Sequence, residues 1–127
     1  MINILVVDDC VDYLKSMEIL LGNAGHNVDT AASRDECCTA VENKKYDIII
    51  MDINIYDVDG RELVYELYTK GQLENTAIIF ASTRKALINV DICSDMTDVC
   101  EYLFKPFSSD ELYAAIESSL LKVRAQS

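Results

Sequence analysis

Apolar and polar positions follow two rhythms along this chain, and the rhythms alternate from end to end. Runs such as Ile4-Leu5-Val6-Val7 and Ile48-Ile49-Ile50-Met51 have no polar side. That is the pattern of strands buried on both faces of a parallel sheet. Between such runs, apolar residues recur every three or four positions. Leu14, Met17, Leu21 and Ala24 form one such stripe, which predicts a helix from about Val11 to Asn23, with Gly22 and Gly25 marking its end. Residues 2–7 read as the first strand, Asn27 to Ala31 as the second, and Tyr46-Asp47 leads into a third that runs through Met51. Thr76 to Ala81 and Glu101 to Phe104 complete the set. Ser33-Arg34-Asp35-Glu36 is a capping box that opens a helix to about Asn43. Asp59-Gly60-Arg61-Glu62 starts another helix, with Leu63 and Leu67 inward and Gly71 as the stop. Ser108-Ser109-Asp110-Glu111 caps the last, whose core stripe is Leu112, Ala115, Ile116, Ser119, Leu120 and Val123. Residues 84–100 mix both rhythms: Leu87 and Val90 fit a helix, whereas Ile88, Val90 and Ile92 alternate as in a strand, and a short or irregular helix is expected. Five strands alternating with five helices predict a three-layer parallel α/β domain with right-handed crossovers.

A length of 127 residues suits one compact domain, and no linker, repeat or low-complexity stretch divides it, so residues 1–127 are read as a single domain. No apolar run is long enough to cross a bilayer, and Met1-Ile2-Asn3-Ile4 lacks the basic start of a secretory signal, which makes the cytoplasm the default address. The formal charge of −11, from 11 basic and 22 acidic residues, repels phosphate backbones, so this domain is not expected to bind nucleic acid directly. Cys10, Cys37, Cys38, Cys93 and Cys100 form no Cys-x-x-Cys pair. They read as reduced thiols, most of them packed as small apolar residues, and zinc is not expected. His26 is the lone histidine, in a turn away from the acids, and reads as a surface residue.

The chemistry lies at the strand ends. The first strand runs into Asp8-Asp9 and the third into Asp52. Ligands of such sheets gather at the carboxyl edge, so the three acids converge there. Three like charges are costly together unless a cation joins them. The arrangement asks for a hard divalent metal and offers Asp52 or a neighbour as nucleophile or ligand. The fourth strand delivers Ser82 and Thr83 to the same edge, and the fifth delivers Lys105.

Four motifs stand in order at these ends: Val6-Val7-Asp8-Asp9; Met51-Asp52-Ile53-Asn54 with Asp59-Gly60 downstream; Ala81-Ser82; and Tyr102-Leu103-Phe104-Lys105-Pro106-Phe107. On these residues the chain resembles a response-regulator receiver domain of two-component signalling over essentially its whole length. The resemblance implies a flavodoxin-like sheet of order 2-1-3-4-5. It implies that Asp52 is the phosphoacceptor, taking a phosphoryl group from the phosphohistidine of a histidine kinase or histidine phosphotransfer protein. Asp9 and Asp52 would ligate magnesium, with manganese as a substitute. Asp8 would act mainly through water, and the main-chain carbonyl of Asn54 would complete the protein ligands. Ser82 and Lys105 would contact the phosphoryl oxygens, and a cis Lys105–Pro106 bond would aim the lysine inward. Ser82 and Tyr102 would form the switch, the tyrosine turning inward on phosphorylation. Such a domain is not an enzyme in the ordinary sense, although it assists its own phosphorylation and dephosphorylation. The face from the fourth to the fifth helix would serve a homodimer or an output domain, and no output domain is expected within these residues.

Some positions depart from the family pattern. Ile55-Tyr56 stands where many members carry Met-Pro, Thr83 where alanine is common, and Asp98-Val99 in place of a Gly-Ala pair. Asp91, Asp95, Asp98 and Glu101 make that side acidic, and Asn54 and Arg84 occupy positions that tune phosphoryl lifetime in the family. Three rivals remain. An aspartyl-nucleophile phosphatase needs a second carboxylate two residues after the nucleophile, where this chain has Asn54. A flavin carrier needs a phosphate loop where this chain has Asp8-Asp9-Cys10. A degenerate receiver would bind partners without phosphorylation, yet every acceptor residue is present.

Overall fold

The computed structural model describes residues 1–56, 58–83 and 100–126. Strands β1 (Asn3–Val7), β2 (Asn27–Ala31) and β3 (Ile48–Asp52) alternate with helices α1 (Val11–Asn23) and α2 (Arg34–Asn43). A short hairpin of β4 (Asn54–Ile55) and β5 (Val58–Asp59) follows, then α3 (Gly60–Thr69), β6 (Ala77–Ser82), β7 (Cys100–Phe104) and α4 (Ser109–Gln126). The main sheet has five strands in the order β2-β1-β3-β6-β7, and all its pairs are parallel. This is the expected 2-1-3-4-5 arrangement, because the hairpin adds two strands to the count and lies outside the sheet. The expected helix over 84–100, the acids Asp91, Asp95 and Asp98, and Arg84 fall almost wholly outside the described residues, as does the helix of the proposed partner face.

The sheet is covered on both faces, which is why its central strands need no polar side. Ile4, Val6, Ile48, Ile50 and Ile79 pack with Leu14, Met17 and Leu21 of α1 and with Leu112, Ala115 and Ile116 of α4. Leu5, Val7, Ile49, Met51, Ile78 and Phe80 pack with Cys37 of α2 and with Leu63, Val64 and Leu67 of α3. The local signals at the helix ends hold. Ser33 accepts from the Glu36 amide at 3.2 Å, Asp59 from the Arg61 amide at 2.9 Å, and Ser108 from the Glu111 amide at 3.1 Å. These side chains replace partners that a helix's first amides lack. Past α1 the chain turns at Gly25, φ +93°, and the His26 amide returns to the Leu21 carbonyl at 3.2 Å. His26 is partly buried, in contrast to the surface position its turn predicts, since its Nδ1 accepts from the Ile2 amide at 3.4 Å.

Register sets the edge where chemistry is expected. Val7 pairs with Met51, Asp52 with Ala81, and Ser82 with Phe104. The carboxyl ends of β1, β3, β6 and β7 therefore finish side by side.

Candidate functional site

Asp8 continues the line of β1, its amide donating to the Ala31 carbonyl at 3.1 Å. Its side chain is only 3% exposed. Asp9 and Asp52 are partly exposed, and one oxygen from each of the three carboxylates lies within 4.8 Å of the others. Each carboxylate is held by a main-chain donor: Asp8 Oδ1 by the Cys10 amide at 2.9 Å, Asp52 Oδ1 by the Asn54 amide at 3.2 Å, and Asp9 Oδ2 by the Tyr56 amide at 3.0 Å.

Lys105 reaches the cluster from the far side of the sheet. Its amide donates to the Ser82 carbonyl at 3.1 Å, and the Lys105–Pro106 peptide is cis, as the resemblance implies. Its Nζ lies 2.5 Å from Asp8 Oδ2 and 3.8 Å from Asp52 Oδ2. Ser82 ends β6 and is buried, whereas Thr83 beside it is exposed. Tyr102 pairs in register with Phe80, and the two rings stack with centroids 5.5 Å apart. It is partly buried, two residue pairs short of the strand end that carries Ser82.

Charge in this pocket is unbalanced. Burial pushes the Asp52 carboxyl up to about 6; the Lys105 ammonium pulls it back, Asp8 pushes it further up, the Asn54 amide lowers it, and Asp9 adds to the rise. One ammonium does not offset three carboxylates. The donor set is all oxygen, compact, and open on the sides of Asp9 and Asp52. It fits a small hard cation that keeps part of its water.

Three features escaped the sequence patterns. The β4–β5 hairpin brings the Tyr56 amide to Asp9, with Tyr56 at φ +51°. Gly60 packs against the main chain of Asp52, where a side chain has no room. Tyr13, in the first turn of α1, lies with its ring centroid 4.1 Å from Lys105 Nζ. Burial, then Asp8 and Asp52, raise the pKa of its phenol. Its position four residues before Met17, on the side of the apolar stripe, was the available signal. Among the thiols, Cys37 and Cys100 are buried and Cys38 is partly so, but Cys10 is exposed; Cys93 lies outside the described residues.

A family model described as "Response regulator receiver domain" matches residues 4–117. Among curated proteins, the transcriptional regulatory protein ZraR of Escherichia coli K12 is 28% identical over 120 residues, which are 94% of this chain and 26% of that protein. The chain thus spans about a quarter of that relative's length. Among solved structures, the chemotaxis response regulator CheY4 of Vibrio cholerae superposes with a TM-score of 0.83 at 26% identity, covering 94% of this chain and 99% of that one. The response regulator TrrA of Thermotoga maritima, solved in complex with Mg(2+)-BeF, superposes with a TM-score of 0.80 at 29% identity, covering 94% of this chain and all of that one.

Proposed function

The chain belongs to the response regulator receiver domain family of two-component signal transduction, and from that premise we propose that it accepts a phosphoryl group on Asp52 from a phosphohistidine, with magnesium bound. The observation that carries this is the convergence of Asp8, Asp9 and Asp52 on one point beside Lys105. The donor is a histidine kinase or a histidine phosphotransfer protein. Residues 1–127 act as one domain, and it works in the cytoplasm.

Asp9, Asp52 and the main-chain carbonyl of Asn54 would hold the cation, with Asp8 acting mainly through water, and manganese could replace magnesium. When bound, the ion neutralises carboxylate charge and lets an anionic donor approach. Asp52 then attacks phosphorus in line. The P–N bond to the donor imidazole breaks as the P–O bond to Asp52 forms, and the imidazole keeps the electron pair and takes a proton from solvent. Little covalent work falls to the other side chains, so positioning and charge decide the rate. Lys105 supplies a mobile ammonium for a phosphoryl oxygen, and the Ser82 hydroxyl donates to another.

Ser82 and Tyr102 transmit the change. A phosphoryl group on Asp52 adds charge that Ser82 can meet, and the Tyr102 ring turns further inward as the two-state equilibrium shifts. The partner surface, for an output domain or a second copy, is the face from the fourth helix expected over 84–100 to the last helix. Receiver domains are signalling domains; here the same pocket assists both gain and loss of phosphate.

The test is acetyl phosphate or beryllofluoride with magnesium, read by intact mass and magnesium binding. A gain of one phosphoryl group that Asp52→Asn abolishes supports the reading. No gain and no magnesium affinity would leave a receiver that binds partners independently of phosphorylation.

A further inference from the structure

We infer that Tyr13 is a positioning residue for phosphoryl transfer: the face of its ring seats the Lys105 ammonium between Asp8 and Asp52. The inference rests on the proposed role of Asp52 and deepens it.

A lysine side chain is a flexible stem with a point charge at its tip. Two contacts fix this one. Asp8 accepts from Nζ at 2.5 Å, and the Tyr13 ring centroid lies 4.1 Å from the same atom. The separation is that of a close cation–π contact, in which the negative ring face attracts the ammonium. Tyr13 stands in the first turn of α1, a 13-residue helix separated from the acid pair only by its N-cap residue, Cys10. The seat is therefore tied to the element that also places Asp8 and Asp9. The ammonium stays 3.8 Å from Asp52 Oδ2, which is beyond hydrogen-bond range and leaves room to turn toward an oxygen bound there.

The hydroxyl points to the same conclusion by elimination. It is buried and has no hydrogen-bond partner among the described residues. A buried, unpaired hydroxyl costs free energy and contributes nothing to packing that an aliphatic side chain would not. What an aliphatic side chain lacks is the ring face. Phenylalanine keeps that face, so the inference separates Tyr13→Phe from Tyr13→Leu.

The experiment uses the full chain with acetyl phosphate and magnesium, together with NMR of 13C-labelled lysine, where Lys105→Arg identifies the Lys105 signal. The Lys105 ε-protons should be shifted upfield by the ring current in the wild type and in Tyr13→Phe, and should return to the ordinary position in Tyr13→Leu. The phosphorylation rate should fall about three- to ten-fold in Tyr13→Leu and stay within about two-fold in Tyr13→Phe. A purely packing role would lower the melting temperature without moving the lysine signal. An unmoved signal, or a Tyr13→Leu rate within two-fold of a normally phosphorylated wild type, overturns the inference alone. An equal loss in Tyr13→Phe also overturns it. A wild type that takes up no phosphoryl group overturns the phosphoacceptor reading and this inference with it.

Discussion

Gly60 lies so close to Asp52 that a Cβ built on it would overlap the Asp52 main-chain oxygen, besides standing 2.9 Å from Met51 Cγ. The closeness has a cause: the Gly60 amide donates to the Ile53 carbonyl at 2.6 Å, which draws the start of α3 onto the end of β3. The backbone atoms cannot yield as a flexible side-chain tip would. Gly60→Ala should therefore cost about 1–3 kcal/mol of stability. Because the displaced atoms belong to Asp52, phosphoryl uptake should slow as well. Urea denaturation and acetyl phosphate kinetics on the same variant check both. Stability within about 0.5 kcal/mol of wild type would mean that the start of α3 can move away from Asp52 at little cost.

Removing charge from the pocket should stabilise the metal-free protein. Asp52 titrates near 6 in the folded chain against an ordinary value of 3.8, because of its burial and, after the opposing pull of Lys105, because of Asp8. Between about pH 4 and about pH 6 the folded protein holds a proton that the unfolded chain has released. Stability from this group therefore falls as pH rises through that window and stays low above it. In EDTA at neutral pH, Asp52→Asn should be more stable than wild type by about 3 kcal/mol, and the gap should close by about pH 4. Magnesium should raise the melting temperature of wild type and do much less for Asp52→Asn. Thermal melts with and without the ion decide it; a less stable Asp52→Asn in EDTA would contradict the charge argument.

Much of this was legible in the chain because strand ends carry it. Short, β-branched runs apolar on both sides, as in Ile48–Met51, read as central strands, and the acid that ends such a run then lies at the sheet's edge. Asp8, Asp9, Asp52, Ser82 and Lys105 were found on that logic together with the family resemblance. The β4–β5 hairpin left no signal, since two-residue strands show no period and this one depends on Gly60 packing under Asp52. Arg61 was equally hidden. A charged residue in an apolar rhythm reads as solvent-facing, yet its side chain is 4% exposed and pairs with Asp59 at 2.9 Å. Burial alone would raise the Asp59 carboxyl, but bonds from the Arg61 side chain and from the amides of Arg61 and Glu62 hold it below its ordinary range.

At the opposite end of the sheet, Tyr46 and Asp29 should give stability a separate dependence on pH. The Tyr46 hydroxyl donates to Asp29 Oδ2 at 2.7 Å, and Lys44 approaches the same oxygen at 3.1 Å. The Tyr46 bond first, against some desolvation and with help from Lys44, lowers the Asp29 pKa below 3.8. A carboxylate lowered in this way stabilises the fold above its unfolded pKa, and the benefit is lost as pH falls through the folded value. Tyr46→Phe should thus lose stability at neutral pH and approach wild type in acid. The Asp29 side chain is 45% exposed, so solvent screening limits the loss to about 1 kcal/mol or less. Urea midpoints measured across acid pH would show it; a gap independent of pH would assign the loss to packing.

The Tyr56 amide, finally, should matter more to magnesium binding than the Tyr56 side chain. That side chain is exposed, whereas its N–H donates to Asp9 Oδ2 at 3.0 Å with φ at +51°. Glycine reaches that angle freely and keeps the N–H. Its greater unfolded-state entropy roughly cancels the relief of strain, so Tyr56→Gly should stay within about 1 kcal/mol of wild type. Proline is fixed near φ −65° and has no N–H to offer. Tyr56→Pro should therefore cost at least about 1 kcal/mol and free the Asp9 carboxylate from the bond that orients it. Magnesium affinity, measured by calorimetry, should fall in Tyr56→Pro and hold in Tyr56→Gly. Equal affinity in the two variants would mean that Asp9 is oriented without the Tyr56 amide.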